Sequence, residues 1–326
     1  MRNRIPTGII AVAASTAALI AFAAPAQAAP ATAHHATVTA NGHAASPAFG
    51  GSGLLSYGGG TVVTTPHVYI VYWGSQWGSS SITNDPSGEA ALQLSFFNHA
   101  YGSGDTYFTS QTQYCQGVAI GTTQCGSSGT HVGHPSASPV AGTWLDSASA
   151  APNKPSATQL AAEARRGASH FAVSGDNVQI IVDSPHGVVP SGFKTQYCAY
   201  HDLTTASTGG DVPWTNMPYV TDAGAACGSN FIPASGGISG TTEGVTIVGG
   251  HEYAETLTDP QAGSGWLDAA GYETGDKCAW ISSGQGASAV ITMNGANFAV
   301  QSEFSNNFNN GAGNCVTFYS SATNQH

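Results

Sequence analysis

Residues 67–73 read HVYIVYW and residues 178–182 read VQIIV. Both are short continuous apolar runs rich in β-branched and aromatic side chains, the pattern of strands buried inside a sheet. Val62-Val63 adds a shorter β-rich pair just before the first of them. Helix signals lie between and after these runs. Asp85-Pro86-Ser87 predicts a helix start, followed by Ala91, Leu92, Leu94, Phe96 and Phe97. Ser156 predicts the start of a second helix, through Leu160, Ala161 and Ala164 to about Arg166. Thr241-Thr242-Glu243 opens a third, which runs through Val245, Ile247 and Val248 into His251. Residues 290–293, 297–301 and 316–319 read as late strands. Strands alternating with helices through Gly-rich loops predict an α/β or α+β fold: one secreted domain with a central mixed sheet, flanking helices and disulfides.

Residues 1–28 have the layout of an export signal, with Arg2 and Arg4, an apolar run from Ile9 to Ala24, and Ala26-Gln27-Ala28 as the cleavage site. No later run is apolar for long enough to span a bilayer, so the expectation is an extracellular protein without a membrane anchor. Residues 29–55 read as a flexible leader of Ala, Gly, Pro and His with no periodic pattern, and residues 56–326 as a single globular domain. His34, His35 and His43 of the leader read as linker residues, and no inhibitory-segment pattern stands out.

Six cysteines follow the signal: Cys115, Cys125, Cys198, Cys227, Cys278 and Cys315. An even number in an oxidising compartment predicts disulfides, and the shortest loops come from pairing neighbours: 115–125, 198–227 and 278–315. None has the C-x-x-C spacing of a zinc cluster. Beyond Arg2 and Arg4 the only basic residues are Lys154, Arg165, Arg166, Lys194 and Lys277, set against 18 acids. That balance argues against nucleic acid or an anionic membrane as a partner. A monomer is expected. With charged residues at 8% there are few ion pairs for acid to break.

The acids are concentrated. Residues 251–280 read HEYAETLTDPQAGSGWLDAAGYETGDKCAW, and Glu252, Glu255, Asp259, Asp268, Glu273 and Asp276 fall within it. No Lys or Arg lies between Lys194 and Lys277, so a metal ion is one way to neutralise them, with Arg165 and Arg166 folding back as another. Helical spacing puts His251 and Glu255 on one face, as in the HExxH metal motif with a carboxylate at its last position. Glu252 then stands where that motif keeps its general base. Asp276, next to Cys278, is the first choice for a further ligand, and Glu273 is close in sequence. His201, beside Cys198, is the runner-up ligand. It is also a candidate catalytic residue: His201, Tyr253 or Tyr272 could stabilise an oxyanion. Asp259 precedes Pro260 and is expected to cap or end the helix. Gly249-Gly250 weakens the helix locally and would allow a substrate backbone to come close.

The segment VGGHEYAETLTDP…GWLDAAGYETGDKCAW resembles the phosphate-induced protein 1 (EXORDIUM-like) family in a bacterial form. VYIVYWGSQW, FFNHAYGSGDTYFTSQTQYC, VQIIVDSP and Cys198-Ala199-Tyr200-His201 follow in that family's order. The resemblance implies an exported, cell-wall-associated fold without an established reaction, and the plant members keep the threonine–proline turn but not the His–Glu pair.

The residues themselves lead to a secreted endopeptidase using Zn2+, or Ca2+ as oxygen ligands accumulate, on a polypeptide or cell-wall polymer. Two alternatives stand beside it. One is a non-catalytic wall protein with a structural metal site, whose tryptophans at 73, 77, 214, 266 and 280 would be candidates for stacking on sugars. The other is a carboxyl-type acid peptidase using Glu252 and Glu255. There is no G-x-S-x-G elbow.

Overall fold

HVYIVYW forms the strand β2 (His67–Trp73) and VQIIV lies within β4 (Val178–Asp183), and the two are parallel neighbours in the interior of a six-stranded sheet. The computed structural model describes residues 53–233 and 236–318, with the backbone of His34–Thr37. Residues 1–33, which include the expected export signal, residues 38–52, Ala234, Ser235 and the chain from Tyr319 onward lie outside the described residues. The other strands are β1 (His34–Thr37), β3 (Val140–Asp146), β5 (Tyr197–Thr205) and β6 (Asp211–Met217). The spatial order is β1-β5-β6-β4-β2-β3. β3, β2, β4 and β6 are parallel, whereas β5 is antiparallel to β6 and β1 antiparallel to β5. The sheet is therefore mixed, as expected.

Three helices flank it: α1 (Glu89–His99), α2 (Ala157–Phe171) and α3 (Glu243–Thr258). Asp85 starts α1 by accepting hydrogen bonds from the N–H groups of Glu89 and Ala90 at 2.9 and 3.1 Å. Ser156 caps α2 in a reciprocal box with Gln159, and the helix runs five residues past Arg166. Alternation along β4 places α2 and α3 on opposite faces of the sheet. Gly167 of α2 lies against Val71 and Ile180, while the neighbouring Gln179 donates to Thr256 of α3 at 2.9 Å. Gln179 also donates to Thr215 on β6, and Thr215 is the register partner of His201 on β5. His201 therefore faces α3.

Several expectations are corrected. Part of the leader is ordered: His34–Thr37 adds a strand to the edge of β5, because that edge would otherwise present unpaired backbone groups. Leu55, at the end of the expected leader, is buried and its N–H donates to Asn306. All sixteen residues of α3 are buried. Burial on every side outweighs the poor propensity of Gly249-Gly250. The space at Gly250 is filled by Phe96 and Tyr107, so a core aromatic pair approaches there instead of a substrate. The five tryptophans considered for sugar stacking are buried. β3, β5 and β6 were not foreseen as strands.

All three disulfides join neighbouring cysteines: 115–125, 198–227 and 278–315. The second ties β5 to the 220–227 segment packed on α3, and the third holds the short turn Asp276–Cys278. After these come two hairpins, β7 (Ala289–Met293) with β8 (Ala296–Val300), and β9 (Glu303–Ser305) with β10 (Asn314–Val316). No helix among the described residues is long and apolar enough to cross a membrane.

Where α1 meets the ends of β4 and β6, Glu89, Gln93, Asp183 and Ser184 line a small cavity with Trp77 and Tyr219. Burial pushes Asp183 well above the ordinary carboxylate range, and it pushes Glu89 up to about 7 despite hydrogen bonds from Val220 and Thr221. Folded values above unfolded ones make ionisation destabilising. Their contribution is whole below the unfolded values and is lost as pH rises through the folded ones. For Glu89 alone the loss is about 3 kcal/mol between mildly acid and mildly alkaline pH. Denaturant unfolding with chelator present should therefore show a more stable protein at pH ~5 than at ~8, with a flatter profile for Glu89→Gln. A wild-type protein that gains stability over that rise would contradict the prediction.

Candidate metal centre

Three elements bring the charged side chains together. α3 supplies His251, Glu252 and Glu255, β5 supplies His201, and the turn before Cys278 supplies Glu273 and Asp276. His251 Nε2 is 3.1 Å from Glu255 Oε1 and 3.8 Å from Asp276 Oδ1. His201 Nδ1 is 3.4 Å from Glu252 Oε2 and 3.5 Å from Glu255 Oε2, and its Nε2 is 3.6 Å from Glu273 Oε2. Asp276, with 11% of its side chain accessible, is the most exposed of these groups. Every candidate ligand chosen from the sequence thus lies in one cluster. Glu273 faces His201, however, and it is Asp276 that completes the His251–Glu255 set.

The orientation of His251 follows from its neighbour. Gln301 Nε2 donates to the carbonyls of Gly275 and Ser302 at 2.9 and 3.2 Å, which turns Oε1 toward His251 Nδ1 at 3.1 Å. Nδ1 is then the donor nitrogen, and Nε2 is directed at Glu255 and Asp276. The backbone of Asp276 donates to Glu255 Oε1 at 2.9 Å. Gly275 is needed for this approach, because a Cβ there would lie 2.7 Å from His251 Nδ1 and 3.0 Å from Glu255 Oε1. Nothing in the motif pointed to Gln301, which directly follows an apolar strand, or to Gly275.

Burial disfavours the charged forms of both imidazoles, but Glu273, Glu252 and Glu255 around His201, and Glu255, Glu252 and Asp276 around His251, outweigh it and hold both well above the ordinary histidine range. Burial would likewise raise Glu255; His251 and His201 reverse this and hold it well below the usual carboxylate range. At Glu252 burial wins, and the group is raised. Glu303 lies alongside, accepting from Tyr107 at 2.8 Å, and burial raises it well above its ordinary value.

Among the described residues, two triads could hold a metal ion: His251–Glu255–Asp276 and His201–Glu252–Glu255. Donors bound at about 2.0–2.2 Å in a tetrahedron lie about 3.3–3.6 Å from one another; the His201 separations of 3.4 and 3.5 Å fall in that range, and the His251 separations of 3.1 and 3.8 Å lie just to either side of it. His251 Nε2 and Glu255 Oε2 are buried and have no hydrogen-bond partner among the described residues, as expected of atoms placed for a ligand.

Other candidates are placed elsewhere. Arg166 pairs with Asp146 and Glu163, and Arg165 donates to Thr204, so neither folds back onto the cluster. Tyr253 meets the Tyr101 hydroxyl at 2.9 Å and packs against Phe97 and Phe108, which removes it as an oxyanion donor. Tyr272 belongs to a turn built on Asp268. Asp259 caps the end of α3, as expected, and its carboxylate accepts from the N–H groups of Gly263 and Ser264. His131 and His134 bond separately to Thr112 and Thr109.

No protein-family model matches the chain, and neither a curated protein nor a solved structure is similar to it at a significant level.

Proposed function

We propose that this chain is an exported metal-dependent endopeptidase whose metal ion is held by His251, Glu255 and Asp276, with Glu252 as general base. The observation that carries the reading is the convergence of these three buried donors, with His251 already oriented by Gln301. An imidazole in the set favours zinc over calcium, which prefers oxygen donors throughout. When bound, such an ion polarises the scissile carbonyl and its attacking water. Glu252 is adjacent in sequence to the ligand His251, and its burial raises its proton affinity toward that of an effective base at neutral pH. His201, at 3.4 Å from Glu252, orients that carboxylate and can share its proton.

A polypeptide as substrate is supported by the edge of β5. It takes His34–Thr37 as an antiparallel strand, with His34 in register with His201, and β1 packs on α3 and on the 276–278 turn. An extended substrate strand could use the same backbone groups once the leader strand is displaced. The export signal at 1–28 and the three disulfides support an extracellular setting.

Metal analysis combined with casein hydrolysis tests the reading. The mature protein should carry zinc, and hydrolysis should stop with EDTA and return with Zn2+. Hydrolysis that EDTA leaves unchanged would point to the acid-peptidase alternative. Bound metal without hydrolysis would point to a structural metal site.

A further inference from the structure

We infer that the centre has a second cation site, formed by His201 Nδ1, Glu252 Oε2 and Glu255 Oε2, with Glu255 bridging the two ions through its separate oxygens. The inference rests on reading His251, Glu255 and Asp276 as a metal site, and it extends that reading to a second ion.

Three observations carry it. The first is geometry. His201 Nδ1 lies 3.4 and 3.5 Å from its two carboxylate partners, within the roughly 3.3–3.6 Å spacing of donors around a small divalent ion. The second is the division of labour at Glu255. Its Oε1 serves His251 and accepts from the Asp276 N–H, whereas Oε2 is turned to His201, is buried, and accepts no hydrogen bond from the described residues. The third is the ring of His201, which turns Nδ1 to Glu252 and Glu255, the first within hydrogen-bond reach, and Nε2 to the opposite side, 3.6 Å from Glu273 Oε2.

The functional consequence follows from Glu252. As a ligand to the second ion it can no longer accept a proton from water, so filling this site should switch hydrolysis off. The second site would then act as a sensor of excess metal on the same carboxylate that serves as base.

The test is a titration of the chelator-stripped, full secreted chain with Co2+ and separately with Zn2+, counting bound ions by equilibrium dialysis and elemental analysis. Two equivalents are expected, the second binding more weakly, with a loss of casein hydrolysis as it binds. The EPR signal of the first Co2+ should diminish when the second becomes coupled to it through Glu255. His201→Ala should bind one equivalent and keep it. Saturation of the wild type at one equivalent would overturn this inference and leave the first site standing. No bound ion would overturn both. A folded His201→Ala that still binds two would place the second ion elsewhere and overturn it as well. Should that variant not fold, the wild-type stoichiometry and the EPR coupling still decide the matter.

Discussion

Glu252→Gln should reduce casein hydrolysis by roughly 10²–10⁴-fold while leaving the fold and the first metal ion in place. The glutamine keeps the size and an acceptor oxygen of the carboxylate, so His201 and the surrounding helix lose little packing. What disappears is the ability to take a proton. Glu252 is fully buried and lies between an imidazole at 3.4 Å and a neighbouring ligand carboxylate. Its charged form is held there at a cost that burial imposes, which suits a base near neutral pH. The expected loss corresponds to about 3–5 kcal/mol in the activation barrier. Turnover at saturating casein, circular dichroism and metal content form the set of measurements. A variant with undiminished turnover would remove Glu252 from the mechanism. A variant that loses its first metal ion would show that the residue holds the site together instead.

The second large effect is on stability. Lys277→Met should destabilise the protein by about 3–5 kcal/mol, because it leaves a buried carboxylate without its cation. Lys277 Nζ is 3.0 Å from Asp268 Oδ2, and each side chain is only 1% exposed. The ammonium also lies 4.6 Å from the Phe304 ring centroid. Methionine retains most of the apolar stem and removes the charge, so packing changes little and electrostatics a great deal. Asp268 has further work, since its Oδ1 accepts from the N–H groups of Ala270 and Tyr272 at 2.8 and 3.0 Å. Adding Asp268→Asn should recover much of the loss, a coupling that a double-mutant cycle in denaturant can measure. A single-variant loss below about 1 kcal/mol would mean that water solvates the pair. Because Lys277 lies between Asp276 and Cys278, the single variant should also weaken metal binding.

How much of this was legible depends on the range over which the information acts. Ser156 capped a helix because its partner Gln159 is three residues away, and the disulfides joined nearest neighbours across short loops. β6 was missed because Pro213 and Asn216 weaken its pattern. The sheet tolerates Pro213 because pairing with β4 begins only at Trp214. α3 was foreseen up to His251, but its burial on every side was not, since a helix without a polar face has no amphipathic period to reveal its neighbours.

The sequence by itself determined two interior strands, the mixed α/β character, the cysteine pairs and the placing of His251 and Glu255 one helical turn apart. These are consequences of local spacing, and local spacing is written in the chain. Only the tertiary structure decided that Asp276 completes the His251 set, that Glu273 stands behind His201, and that Glu255 turns one oxygen to each histidine. It also placed the leader strand on β5 and Gln301 behind His251. Those relations depend on strand order and on which backbone can approach another, here through Gly275, and both are settled only when distant segments pack together.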